Sequence, residues 1–331
     1  MKINIKLWIS IIISMVFVVL IFYEVDFNKT EQALRDADYI YLPFAVVLSI
    51  VTNILRTYRW KYVINPIKKI STHSLFSGVA IGYMANNLLP ARLGEFVRAY
   101  MMGKKEGISK SATLATIVLE RILDGLALLF FLGIIAVLFS LPLWIKQAGI
   151  AAGAFFLFLS AFLILLLVKR TQGVQLIERF AGFFSAKLAK EAKRLLNLFL
   201  EGLAVVNHGK NIFMAFVFSV IIWLVEASTY YIVGLSFGIN LPVYVSLLVV
   251  VIVNIGILIP SAPGYIGAFE FFCISALAIF SIEQSVALSY AIVLHAVLFI
   301  PITAIGIFYF GKENLKFAEV TGMAKIPPTG I

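Results

Sequence analysis

Apolar residues fall into runs long enough to cross a bilayer, separated by short polar stretches. A membrane-spanning helix takes about 20 predominantly apolar residues. Runs of that kind predict spanning helices over 7–23, from Tyr39 to the basic residues beginning at Arg56, and over 112–141, 149–168, 212–237 and 286–310. Residues 24–38 carry five acids with only Lys29 and Arg35 and are expected as a polar loop. Residues 169–210 form the one soluble-looking stretch. Within it, 181–206 mixes Leu and Phe with Lys187, Lys190, Lys193 and Arg194, which predicts an amphipathic cytoplasmic helix at an anionic lipid surface or a solvated connector.

Two further runs are interrupted. Between Leu75 and Met102 the chain carries Asn86-Asn87-Leu88-Leu89-Pro90-Ala91-Arg92-Leu93-Gly94-Glu95, with Arg98 beyond. Between Val243 and Phe280 it carries Pro260-Ser261-Ala262-Pro263-Gly264-Tyr265-Ile266-Gly267, with Glu270 beyond. Irregular backbone at membrane depth survives only where protein or a water-filled cavity covers it, and there it tends to form a site. Each break therefore predicts a re-entrant helical hairpin. The two share a short grammar, Pro90 and Gly94 matching Pro263 and Gly267, with Asn87 and Asn254 upstream, which reads as a weak internal repeat. The expected architecture is an all-α polytopic membrane protein, with about six full spans and two opposed hairpins, as in an inverted repeat. One transmembrane domain covers 1–311 and a short cytoplasmic tail covers 312–331.

Composition agrees. The chain is 62% hydrophobic and 13% charged, against about a quarter charged in soluble domains. The net charge of +10 is then a topological signal rather than a nucleic-acid one. With this layout, 21 Lys and Arg fall inside and three outside, so both termini are expected in the cytoplasm of a cell-membrane protein. The basic cluster Arg56, Arg59, Lys61, Lys68 and Lys69 counts as inside. Cys273 stands alone, which excludes a disulfide framework. No His-Glu-x-x-His, Gly-x-Ser-x-Gly or phosphate-loop motif occurs, so no enzyme, cofactor or metal is expected.

Charges at membrane depth are costly and mark function. Arg92, Glu95, Arg98, Glu120, Arg121, Asp124, Glu226 and Glu270 qualify. Pro90 and Pro263 suit helix starts, so two amide-rich helix ends are expected to converge near Arg92, Asn86, Asn87, Gly94, Gly264 and Gly267 as an anion site. The bland reading is that the asparagines and glycines only close turns. Arg92 requires an anion, either Glu95 or a lipid phosphate. Glu120 and Asp124 share a helix face. They are expected to join Glu95, Arg98 and Arg121 in a network that acts as a structural clamp or meets substrate. His295 is expected as a packed polar residue.

The segment 86–95, then Leu119-Glu120-Arg121-Ile122-Leu123-Asp124, then Pro263-Gly264-x-x-Gly267-x-x-Glu270, resembles the flippase-like transmembrane family, the membrane region of lysylphosphatidylglycerol synthases. The resemblance extends over nearly the whole chain. It implies movement of a lipid between leaflets. The aminoacyl-transferring cytoplasmic domain of those synthases has no counterpart in the sequence, which leaves translocation as the expectation. The cargo would be an anionic or aminoacylated phospholipid, or a polyprenyl-linked lipid. The expected partners are membrane lipids with anionic headgroups, with a lipid-synthesising enzyme and a second copy of the chain as protein candidates. A membrane transferase, or an accessory subunit of one, is the second reading. A small-anion transporter is the third.

Overall fold

The computed structural model describes residues 5–89, 92–240 and 242–315. Among these are thirteen α-helices and no strand. The helices are α1 (Ile5–Glu24), α2 (Phe27–Asp36), α3 (Leu42–Ile64), α4 (Thr72–Leu88), α5 (Gly94–Glu106), α6 (Lys110–Leu138), α7 (Leu143–Val168), α8 (Arg170–Gly182), α9 (Ala186–Gly202), α10 (Gly209–Ser236), α11 (Val243–Gly256), α12 (Ala268–Ala278) and α13 (Gln284–Lys312). Five helical stretches are long and apolar enough to cross a membrane: Tyr39–Ile64, Lys110–Leu138, Leu143–Val168, Gly209–Ser236 and Gln284–Lys312. Shorter apolar helices occupy Trp8–Ile21, Val243–Gly256 and Pro263–Ala278. The expected all-α membrane architecture is therefore present.

Three local expectations change. Residues 24–38 are not a loop. Asp26 accepts from the amides of Asn28 (2.9 Å) and Lys29 (3.3 Å), and Glu31 pairs with Arg35 at 2.6 Å, so a capped helix, α2, forms there. It lies against α13, where Ser289 donates to the Thr30 carbonyl at 2.9 Å. The stretch 181–206 is not one helix. Ser185 accepts from the Leu188 amide at 3.0 Å and starts α9 separately, after α8 has ended. The helix that ends in the basic cluster runs to Ile64, with Trp60, Val63 and Ile64 wholly buried and Arg59 buried among them. Arg56 and Arg59 thereby leave the cytoplasmic cluster and enter the protein interior.

The two breaks are built as hairpins, α4 on α5 and α11 on α12, the second reversing over Ile257–Gly267. They enter from opposite ends of the molecule. At one end, Lys105 of α5 pairs with Glu313, and His73 of α4 meets Tyr309. At the other, Lys29 pairs with Glu283 at 3.3 Å, beside the start of α13 and the end of α12. The tips meet in the middle, where Gly264 lies beside the Asn87 carbonyl. The return helices begin at Gly94 and Ala268 rather than at the prolines. Pro263 opens a 3-10 turn ending at Tyr265, and the expectation for Pro90 lies outside the described residues.

Gly94 is required by close packing, because a Cβ there would stand 2.0 Å from the Gly82 carbonyl oxygen. Gly267 combines φ 86° with a Cβ position 2.9 Å from the Ser14 carbonyl, so both its backbone geometry and its neighbour on α1 exclude a side chain. Two apolar clusters fill the molecule. One is built around Trp60, Met101 and Leu203, the other around Val249, Tyr230 and Leu294. A belt of buried charges divides them.

A charged belt around an amphipathic cavity

The belt is formed where α3, α6 and α10 run side by side and α5 returns against them. Arg59, 1% exposed, is held by Asp124, by Glu120 at 3.3 Å and by the Ser219 hydroxyl at 2.9 Å. Glu120 is itself fully buried and pairs with Arg98 at 2.8 Å. The Arg98 guanidinium carbon sits over the Trp60 ring, 3.4 Å from its centroid. Arg121 reaches Glu95 at 3.2 Å and Asp124 at 3.5 Å. Arg56 pairs with Glu226 at 2.6 Å and packs over Tyr83 and Trp223.

The expected residues do join in one network, with Arg59 added. Arg98 meets Glu120 and is not among the residues lining the cavity beside the belt. Asp124 is shared by Arg59 and Arg121. Arg56 and Arg59 escape a sequence reading that counts them in the cytoplasmic basic cluster. The signal was nonetheless present: Ser49, Thr52, Asn53, Arg56 and Arg59 recur every three or four residues, which draws one polar stripe along α3.

Beside the belt lies a cavity of about 390 Å³. Its polar end presents Arg56, Asn86, Asn87, Arg92, Glu95 and Arg121. Its other wall is apolar, with Leu128 and Leu129 of α6 facing Ala152, Phe155, Phe156 and Leu159 of α7. Most of α7 is exposed, as suits a helix bordered by lipid. The asparagines shape the polar end. Asn86 Oδ1 accepts from the Gly94 amide at 2.8 Å, capping the α5 start, and Asn87 donates to Thr303 on α13 at 2.7 Å.

Arg92 stands at the junction of the two breaks. Its guanidinium donates to the Ile257 carbonyl at 2.9 Å and lies 5.4 Å from the centre of the Tyr265 ring. Its backbone is left-handed, with φ 54°, a conformation that costs a non-glycine residue about 1 kcal/mol or more. Belt and junction together hold five arginines (56, 59, 92, 98 and 121) and four carboxylates (Glu95, Glu120, Asp124 and Glu226). Arg92 is the arginine with no ion pair among the described residues.

The second break contributes less to this cavity than its sequence suggests. Tyr265 reaches the cavity, but Gly267 packs on α1 and Gly264 and Glu270 face a separate groove. The α12 N-terminus is already occupied, since Glu270 folds back to accept from the Gly267 amide at 2.7 Å. Two free helix ends thus do not converge on one anion. Glu270 also contacts His295, which donates through its other ring nitrogen to the Gly264 carbonyl at 2.9 Å.

Comparison with known proteins follows the same outline. The profile described as "Lysylphosphatidylglycerol synthase TM region" matches residues 7–306. A UPF0104 membrane protein of Methanothermobacter thermautotrophicus is 28% identical over 86% of this chain and 90% of its own length. A UPF0104 membrane protein of Methanocaldococcus jannaschii is 33% identical over 40% of each chain. Glycosyltransferase AglD of Haloferax volcanii is 23% identical over 82% of this chain and 49% of its own length. With that match running through both breaks and the charged helix between them, the chain is a multi-pass membrane protein and belongs to the family of the lysylphosphatidylglycerol synthase transmembrane region.

Proposed function

We propose that the protein moves a lipid with an anionic, phosphate-bearing headgroup between the leaflets of the cell membrane. The observation that carries this reading is Arg92, a cation with no carboxylate partner among the described residues, at the polar end of a cavity whose opposite wall is apolar. An unneutralised charge at membrane depth is costly, and a phosphodiester supplies the one negative charge the belt lacks. The headgroup would enter beside Arg92, with Arg121 and Arg56 near by, while acyl chains run between α6 and α7. Arginine suits this role because its planar fork matches phosphate oxygens.

The experiment is leaflet exchange in proteoliposomes, using acyl-chain-labelled lipids and an impermeant quencher. An anionic phospholipid should be quenched beyond the outer-leaflet fraction in vesicles containing the protein, and a zwitterionic one to a smaller extent. Quenching that stops at the outer-leaflet fraction for both would remove the proposal. A transferase reading is favoured by the similarity to a protein named a glycosyltransferase. Mass spectrometry of the recovered lipids separates the two, since a translocase returns them chemically unchanged.

We further propose that both termini face the cytoplasm. Moving Arg56 and Arg59 into the interior lowers the inside count to 19 against three outside, which keeps the bias. A cysteine introduced between Asn28 and Asp36 should be labelled by an impermeant reagent on intact cells, and one at Lys187 should not. Labelling at Lys187 from outside would reverse the orientation.

A further inference from the structure

The groove behind the second break, about 530 Å³, is lined by mainly apolar residues of α13 and by Asn87, Gly264 and Ile266. Among the described residues, Glu270 and His295 are the ionisable side chains lining it. His295 Nε2 faces the Gly264 carbonyl, and Nδ1 faces Glu270 Oε1. A carbonyl oxygen and an ionised carboxylate only accept, and a neutral imidazole has one N–H to give. The two contacts need two protons, whereas neutral histidine with ionised glutamate holds one. Both contacts are satisfied when the pair carries one proton more, either as imidazolium with carboxylate or as imidazole with carboxylic acid. It is uncharged overall in both cases, as suits groups 11% and 12% exposed at membrane depth. The rings of Phe269 and Phe299 lie 4.5 Å and 4.1 Å from the imidazole and hold it in place.

Loss of that proton sets one lone pair against another. One contact must then open, and either opening acts on the second break. Release of Gly264 frees the turn Pro263–Tyr265, and release of Glu270 disturbs the start of α12. That turn carries the Tyr265 ring against which Arg92 packs, and Asn87 and Phe299 line both groove and cavity. The surrounding elements add little charge. The buried Cys273 thiol lies one turn along α12, Tyr265 adjoins Gly264, and Arg92 is beyond the turn. Among the described residues, α1 and α4 contribute the neutral Ser14 and Asn87.

We propose that Glu270 and His295 form a proton-binding site whose release and rebinding drive the second break, so that lipid movement is coupled to proton movement. This rests on the translocation reading for its cargo, and its ligand is the proton itself. Two measurements test it separately from that reading. Glu270→Gln reproduces the proton-loaded pattern with a fixed amide N–H: it donates to Nδ1, leaves Nε2–H for Gly264 and keeps an oxygen for the Gly267 amide.

Release of that proton opens one of the two contacts, so the thermal stability of the wild-type protein should carry a pH-dependent component. Glu270→Gln should lack this component. Parallel stability profiles for the two proteins would overturn the proton site, whether or not any lipid moves. In proteoliposomes clamped at zero voltage, a pH difference of one unit should bias the labelled anionic lipid about tenfold toward one leaflet for one proton per lipid. Glu270→Gln should show no bias. An even distribution in the wild type, with exchange intact, would overturn the coupling. Absence of exchange would count against translocation and leave the stability profiles to decide the site.

Discussion

Arg92→Lys should reduce lipid transport about tenfold or more while leaving the protein folded. Lysine keeps the charge but loses the two-pronged geometry, and a charge-assisted bond to phosphate is worth about 1.5–3 kcal/mol. Arg92→Gly is the sharper companion. It removes the side chain and also the cost of a left-handed backbone, about 1 kcal/mol, which offsets the lost bond to the Ile257 carbonyl, also about 1 kcal/mol. Melting should hardly change and transport should vanish, whereas Arg92→Ala, which keeps the strain, should melt lower. The exchange Arg92→Glu with Glu95→Arg should not recover activity, because Glu95 is engaged by Arg121 at 3.2 Å. Recovery in that double variant would make Glu95 the functional partner of Arg92 and remove phosphate from the account.

Asp124→Ala should be the most destabilising change in the charged belt. Asp124 accepts from both terminal nitrogens of Arg59 and lies 3.5 Å from Arg121, so its removal leaves buried guanidinium charge uncompensated. Breaking a buried pair in this way costs about 3–5 kcal/mol, a large part of the stability of a typical domain. Expression and thermal melting should fall together. Wild-type stability accompanied by lost transport would instead place Asp124 in the transport step.

These two outcomes separate what the belt does from what the cavity does, and the sequence showed the two unequally. Spanning helices were legible because each needs only a long apolar run, and the breaks because asparagine, proline and glycine interrupt such runs visibly. The meeting of the two breaks followed from their opposed entry. What stayed hidden depended on tertiary partners. Arg56 and Arg59 read as a cytoplasmic cluster until α6 and α10 supplied Asp124, Glu120 and Glu226 to receive them. Arg98 reads as a functional charge at membrane depth, but the ring of Trp60 and the carboxylate of Glu120 occupy it. The second helix end read as an anion site, but a glutamate three residues beyond Gly267 satisfies its first amide from within the same chain. Residues 24–38 looked like a loop because few of them are apolar. Asp26 and the Glu31–Arg35 pair were the local signals for α2, and its packing on α13 completes the helix.

The most direct test of the central claim is the density in the cavity when the protein is imaged in nanodiscs containing anionic phospholipid. The account predicts a phosphate-sized feature within hydrogen-bonding distance of the Arg92 guanidinium, with acyl density leaving between α6 and α7. A lipid phosphate seated elsewhere, with Arg92 still bonded only to the Ile257 carbonyl, would contradict it.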